Sequence, residues 1–144
     1  MRYLCIDYGL ERTGLAVSDP SERLVFPYKT LCLSHFKNRK ALLDALASEV
    51  AATQAQAVIM GLPVPLEGEE TLICRQIRKI KERLSHRIAV PILFMNECLS
   101  SEEARMDLNE CGLGRRKQKA VLDQQAAVRI LESFLALQRQ KRGE

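Results

Sequence analysis

The chain has 144 residues, of which 47% are hydrophobic and 28% are charged, and its formal net charge is +4. This composition excludes an intrinsically disordered chain, and the length predicts that residues 1–144 form a single domain. The net charge is a modest excess of positive over negative groups, so on its own it identifies no partner.

The first predicted elements are three β-strands. An apolar run over residues 2–8 and a loosely alternating run over residues 13–19 are separated by a short turn, which predicts a β-hairpin. A third strand-like stretch covers residues 24–33, where Pro27 indicates a bend or an edge position. The first run is too short for a signal peptide or a membrane-spanning helix, so we expect a cytoplasmic protein.

Helices and strands alternate after the third strand. The spacing of apolar residues predicts helices over residues 37–52, 69–85, 100–111 and 121–138 and buried strands over residues 57–60 and 89–95. Loops are expected from Gly61 to Gly68 and in the basic segment before the last helix. The order β-β-β-α-β-α-β-α-α predicts an α/β fold, namely a mixed five-stranded sheet with helices on both faces.

Three carboxylates stand where the surrounding pattern predicts buried or inward-facing positions. Asp7 ends an apolar strand, Glu97 follows the last predicted strand, and Asp123 lies on the apolar stripe of the last helix. Each has an ordinary alternative explanation: a turn-forming residue before Gly9, a charge leaving the core, and a favourable charge near a helix start. Their combination is what indicates function, because these elements can bring the three residues together.

Such a set of carboxylates is suited to metal-assisted hydrolysis. Carboxylate oxygens are hard ligands for Mg²⁺ or Mn²⁺, and without cations the charges would repel one another. Two ions about 4 Å apart can activate water and stabilise the leaving oxygen of a phosphodiester. The sequence therefore predicts a metal-dependent nuclease, with Asp7, Glu97 and Asp123 as metal ligands and catalytic residues.

Positive charge is concentrated in two short segments. One contains Arg115, Arg116, Lys117 and Lys119, and the other contains Arg139, Lys141 and Arg142. Clustered cations indicate an anionic polymer such as nucleic acid as the partner. The alternative is that the first segment is a solvated surface loop and the second a frayed tail. Taken alone, the charge clusters favour this alternative.

The five cysteines are not arranged as a metal site. Cys5, Cys32, Cys74, Cys98 and Cys111 form no CxxC pair, and neither His35 nor His86 has a zinc-like spacing from a cysteine. Because no export signal is seen, we expect reduced thiols and no structural zinc.

Four short motifs follow one another along nearly the whole chain. The first is Asp7-Tyr8-Gly9 with Arg12 and Gly14, followed by Ser18-Asp19-Pro20. The others are Gly61-Leu62-Pro63 with Gly68, Glu97-Cys98-Leu99-Ser100-Ser101 with Ala104, and Lys117, Lys119 and Asp123 with Ala126-Ala127. Together they resemble the signature segments of the YqgF/RuvX family in the family's order, which makes the resemblance specific.

The resemblance implies a ribonuclease H-like fold, kinship with Holliday junction resolvases and a role in processing the 5′ end of pre-16S rRNA. It places the family's acidic positions on Asp7, Glu97 and Asp123, and it implies Mg²⁺ or Mn²⁺ as the cofactor. The expected partner is nucleic acid, with an rRNA precursor preferred over branched DNA. The expected contacts to it are Arg12, Arg115, Arg116, Lys117 and Lys119.

Three alternatives stay open at this point. A Holliday junction resolvase-like DNA nuclease would use the same residues. A catalytically inactive RNA-binding assembly factor is the second, because Asn96 and Cys98 replace an Asp and an Arg of the family pattern. An actin-like ATPase or kinase is the third, since Asp7, Gly9 and Gly14 resemble its phosphate hairpin, although those enzymes close two domains over a nucleotide.

Overall fold

The computed structural model describes residues 1–65, 68–97 and 115–143, and for residues 115–123 it describes the backbone only. The elements, in chain order, are β1 (Tyr3–Tyr8), β2 (Arg12–Ser18), β3 (Val25–Cys32), a 3₁₀ turn (Leu33–His35), α1 (Arg39–Ala52), β4 (Ala57–Pro63), α2 (Leu72–Ser85), β5 (Ile92–Glu97) and α3 (Arg115–Lys141).

The five strands form one mixed sheet in the order β3-β2-β1-β4-β5. Strands β1, β2 and β3 are antiparallel neighbours, whereas β4 is parallel to both β1 and β5. The predicted five-stranded mixed sheet is therefore confirmed. Pro27 lies in edge strand β3, beside a shift in register between Leu15 and Ala16, as its missing N–H requires.

Helices α1 and α2 cover one face of the sheet, which we call the two-helix face. It is formed by large side chains of the strands, including Leu4, Ile6, Leu15, Val58 and Met60. Helix α1 buries the stripe that its sequence spacing predicts, namely Leu42, Leu43, Leu46 and Val50. Helix α2 buries Ile77, Ile80 and Leu84 as predicted, but its fourth buried residue is Cys74, whereas the predicted Ile73 is half-buried. Asn38 and Thr71 cap the two N-termini by accepting hydrogen bonds from backbone N–H groups.

Of the helices in the described residues, α3 covers the opposite face, which we call the one-helix face. The strands contribute mostly small side chains here, and the face is formed by Tyr3, Cys5, Ala16, Ala57 and Ile59. From α3, the buried residues Ala127, Ile130 and Phe134 follow the predicted stripe, and Phe134 meets the Tyr3 ring edge-to-face at 5.3 Å. Helices on both faces are thus confirmed.

Two sequence-based boundaries are wrong. Gly61, Leu62 and Pro63 were expected to form a loop but continue strand β4, where they pair with β5. The basic residues from Arg115 to Lys119 were also expected to form a loop, but they are the first turns of α3. Lysine and arginine are good helix formers, so a cluster of basic residues can lie within a helix as well as in a loop.

Some predictions concern residues outside this description. The helix expected over residues 100–111 is one of them. Of the cysteines, Cys5, Cys32 and Cys74 are described, and all three are free thiols, as expected. In the described part of the chain, no helix combines the length and the apolar character that a membrane crossing needs.

Candidate active site

Asp7 lies near the carboxyl end of β1, the central strand of the sheet. Since side chains alternate along a strand, Asp7 is on the one-helix face together with Tyr3 and Cys5. It is half-buried. In the register of the sheet, Asp7 pairs with Gly14 of β2, and Gly14 pairs with Thr30 of β3.

Glu97 is the last residue of β5 and pairs with Pro63 of β4. By alternation it shares the one-helix face with Met95, which packs against the core of that face. Strands β1, β4 and β5 are parallel, so their carboxyl ends meet at one edge of the sheet. Asp7 and Glu97 therefore lie on the same face and at the same edge, two strands apart and offset by about two residues along the strands, which places their backbones about 12 Å apart.

Cys5 lies on the same face as the two carboxylates and is fully buried. Burial raises the pKa of the Cys5 thiol well above its usual range, and the negative charges of Asp7 and then Glu97 raise it further. Cys5 thus serves as an apolar floor beneath the acidic edge.

The environment of Glu97 favours a positively charged partner. Burial raises the pKa of the Glu97 carboxyl above its usual range, and the positive charge of Arg129 on α3 partly offsets this effect. No sequence pattern identified Arg129, because an arginine at an exposed helix position is ordinary. A cation there, or a metal ion, would stabilise the ionised form that a ligand role requires.

Gly61 brings α3 close to the sheet between the two acidic strands. A Cβ atom at this position would lie 2.6 Å from Cδ1 of Ile130, so a larger residue would require the Ile130 side chain or the helix to move. The absence of a side chain at Gly61 therefore leaves room for Ile130 of α3 against β4. This explains why a glycine stands inside an inner strand, where it is otherwise unfavourable.

A second contact fixes the position of α3 beside Asp7. The Gln124 side-chain amide donates a 3.0 Å hydrogen bond to the Thr30 hydroxyl, which lies in the same row of paired residues as Gly14 and Asp7. The helix residue before Gln124 is Asp123. The side chain of Asp123 lies outside the described residues, so its predicted place beside Asp7 stays a prediction.

Arg12 lies at the same edge of the sheet as Asp7. It is the first residue of β2 and is half-buried, and by alternation it is on the one-helix face with Gly14 and Ala16. The hairpin that connects it to β1 is tight, since a Cβ at Gly9 would lie 2.6 Å from the Arg12 carbonyl oxygen. The side chains of Arg115, Arg116, Lys117 and Lys119 are outside the described residues.

The donor chemistry of this edge fits a divalent cation. Asp7 and Glu97 offer carboxylate oxygens, which Mg²⁺ and Mn²⁺ prefer. Within the residues whose side chains are described, no group of three His, Cys, Asp or Glu residues could hold a metal ion. A complete ligand set would therefore need a further group, and Asp123 is the predicted one.

Comparison with known proteins identifies a family and a fold. The family described as "RuvX: Holliday junction resolvase" matches residues 1–137. A relative in Oleidesulfovibrio alaskensis named "Putative pre-16S rRNA nuclease" is 48% identical over 142 residues, covering 99% of this chain and 96% of the relative. A relative of the same name in Nitratidesulfovibrio vulgaris is 47% identical, covering 99% of each chain.

Two solved structures that resemble this chain over nearly its whole length are of RuvC. The Thermus thermophilus RuvC structure matches with a TM-score of 0.52 at 16% identity, and 96% of each chain is covered. RuvC of the same organism in complex with a Holliday junction substrate matches with a TM-score of 0.54 at 12% identity and the same coverage. These likenesses confirm the ribonuclease H-like fold.

Proposed function

The chain belongs to the RuvX family, and we propose that it is a metal-dependent nuclease that hydrolyses phosphodiester bonds of nucleic acid. The observation that carries this proposal is the placement of Asp7 and Glu97 on one face and at one edge of the sheet. The family match over residues 1–137 favours this function over that of an actin-like kinase.

The residues of this edge have distinct roles in the proposed reaction. Asp7, Glu97 and Asp123 would hold Mg²⁺ or Mn²⁺, and Arg12 with the basic start of α3 would bind the phosphate backbone. The chemistry that such an ion supplies when bound is activation of a water molecule and stabilisation of charge on the leaving oxygen. Half-burial of Asp7 and Glu97 strengthens these interactions, because less water screens them.

We propose pre-16S rRNA as the substrate, with cleavage that matures its 5′ end during ribosome biogenesis. Support comes from relatives of that name that match nearly the whole chain at 47–48% identity. Cleavage of a four-way DNA junction is the second candidate, which the description of the family favours.

The test compares Asp7→Asn with Asp44→Asn in a cleavage assay. Asn at position 7 keeps the shape of the side chain but removes the charge, so we expect cleavage to be abolished while most of the affinity for nucleic acid persists. Asp44 is an exposed residue of α1 on the two-helix face, paired with Arg87, so its substitution should leave cleavage unchanged.

The substrates are a labelled rRNA precursor and a four-way DNA junction, each with Mg²⁺, with Mn²⁺ and with excess chelator. Selective cleavage of the precursor supports the rRNA proposal, whereas selective cleavage of the junction supports the second candidate. Full activity of Asp7→Asn, or equal activity of the wild-type protein in chelator, would contradict a metal-dependent nuclease. Binding of RNA without any cleavage would identify an assembly factor.

A further inference from the structure

Helix α2 is a third segment that is rich in positive charge, and it lies apart from the candidate active site. Its 14 residues include five basic side chains, Arg75, Arg78, Lys79, Lys81 and Arg83, and one acidic side chain, Glu82. The helix packs with Cys74, Ile77, Ile80 and Leu84 towards the sheet, so its basic residues lie outside the buried stripe. None of them takes part in the site described above.

Two of these residues are fixed over an aromatic ring at the edge of the sheet. The Arg78 guanidinium lies 5.6 Å and the Lys81 ammonium 5.2 Å from the centre of the Phe94 ring. Phe94 is half-buried and belongs to β5, the outermost strand of the sheet on this side. The two cations thus share one flank of α2, the flank that faces the edge strand.

The flank is held in place at its N-terminal end. The Arg78 side chain pairs with both carboxylate oxygens of Glu70, with two hydrogen bonds of 3.1 Å from Nε. Arg75, one turn earlier, donates a hydrogen bond of 3.4 Å to the Glu70 carbonyl. We call Arg75, Arg78 and Lys81 the β5-flank stripe. Its positive charges outnumber its one acidic partner, so a net positive charge is left for an external anion.

The β5-flank stripe leads to the candidate active site. Phe94 precedes Glu97 by three residues in the same strand, which corresponds to about 10 Å. The two residues lie on opposite faces of the sheet. A nucleic-acid strand that runs past the outer side of β5 can therefore reach both. A polyanion bound at the acidic edge would then continue onto Lys81 and Arg78.

We propose that the β5-flank stripe is a second nucleic-acid contact, which binds the phosphate backbone of the substrate strand beyond the cleaved bond. The inference rests on the proposed function. Charge complementarity favours nucleic acid as the ligand. A row of fixed cations matches a backbone that carries one negative charge on each nucleotide. The contact with the Phe94 ring holds the two cations in place before binding. Less side-chain entropy is therefore lost when the nucleic acid binds.

The experiment compares two double variants that remove the same amount of charge from the same helix. Arg78→Gln/Lys81→Gln removes the cations next to Phe94. Lys79→Gln/Arg83→Gln removes two exposed cations outside the stripe. Affinity for a labelled 20-nucleotide single-stranded RNA is measured by fluorescence anisotropy over a range of KCl concentrations, in chelator so that nothing is cleaved.

We expect Arg78→Gln/Lys81→Gln to bind roughly ten-fold more weakly and to lower the salt slope by about 1.4, because two fewer counterions are released. The control variant should lose less than about two-fold. A third variant, Arg78→Lys/Lys81→Arg, keeps both charges and should keep the slope. Equal losses in the first two variants, or a loss in the charge-conserving variant as large as in the first, would overturn the inference.

The assay separates this inference from the proposed function. If the wild-type protein binds RNA through the stripe but cleaves nothing in Mg²⁺, the proposed function fails and the second contact stands. If Arg78→Gln/Lys81→Gln binds as the wild-type protein does, the second contact fails whatever the cleavage assay shows. Thermal melting of each variant checks that its fold is retained.

Discussion

The two faces of the sheet are built from side chains of different size. The two-helix face uses large aliphatic residues such as Leu4, Ile6 and Met60, and two helices close over it. The one-helix face uses small residues such as Cys5 and Ala16, together with Gly61, and among the described helices α3 crosses it. The core on the first face is therefore thicker than the core that the described residues form on the second face.

This difference explains where the candidate site lies. A carboxylate buried in a thick apolar core would be strongly destabilising, whereas one at the open edge of a thin layer keeps some contact with water. Asp7 and Glu97 are both half-buried on the one-helix face. The first face therefore supplies stability, and the second supplies the geometry on which the proposed chemistry depends.

The sharpest test of this division uses two adjacent residues of β5. Glu97 is on the one-helix face, and Asn96, which pairs with Leu62, is on the other. We expect Glu97→Gln to lower the rate of cleavage at least about a thousand-fold, as loss of a catalytic group does. Asn96→Asp should change the rate less than about three-fold, since a carboxylate there lies on the wrong face. Comparable effects of the two substitutions in the same assay would remove the distinction between the faces.

The next prediction concerns the fit of α3 on the one-helix face. Gly61→Ala would place a Cβ 2.6 Å from Ile130 Cδ1, so the Ile130 side chain must change rotamer or α3 must shift, at a cost of about 1–3 kcal/mol in the free energy of unfolding. Ile130→Val removes Cδ1 and should restore much of this loss in the double variant. Urea denaturation of the four proteins measures the coupling, and additive effects would show that this contact does not position the helix.

The smallest expected effect lies at the other end of α3. Arg142 pairs with both carboxylate oxygens of Glu22, and this hydrogen bonding is the main cause that holds the pKa of Glu22 below its usual range. A depressed carboxyl pKa contributes stability above the unfolded pKa, which is about 4.5, and this is lost as pH falls through the lower folded value.

We therefore expect Arg142→Gln to lower the melting temperature by about 1–2 °C at pH 7, since the pair is partly exposed. The difference from wild type should disappear in acid. Lys141→Gln, at the neighbouring exposed position, is the control and should have no such pH-dependent effect. A difference that persists below pH 3 would mean that the ion pair is not its source.

The sequence predicted the regular parts of the two-helix face well. The stripes of α1 and α2 follow from helical spacing, and the buried part of β4 follows from a wholly apolar run. Periodicity works here because each element buries one face against a continuous core. Pro27 also indicated its edge strand correctly, because the missing N–H restricts where proline can stand.

The sequence predicted the one-helix face less completely. Gly61 and Pro63 were interpreted as the start of a loop, although Gly61 is required by the close approach of Ile130, a contact 69 positions away that no local pattern shows. Asp7 and Glu97 were identified because a charge interrupts an apolar pattern. The row that joins Asp7, Gly14 and Thr30 depends on strand register, which becomes visible only in three dimensions.

The Asn96 departure from the family pattern also takes on a different meaning in the structure. From the sequence it raised the alternative of an inactive factor, because an acidic residue is missing beside Glu97. In the sheet, the Asn96 side chain is exposed and on the face opposite to Asp7, so a carboxylate there would not join the candidate ligands.

The hydrogen bond between Gln124 and Thr30 joins residues that are 94 positions apart. During synthesis, the strands that carry Asp7 and Glu97 leave the ribosome before α3, so α1 and α2 can pack on the sheet before α3 reaches it. We therefore expect a stage in which the two-helix face is formed while Tyr3 and Ile59 still lack their contacts with α3. Activity would begin only when α3 docks, so the order of synthesis would delay cleavage until the molecule is whole.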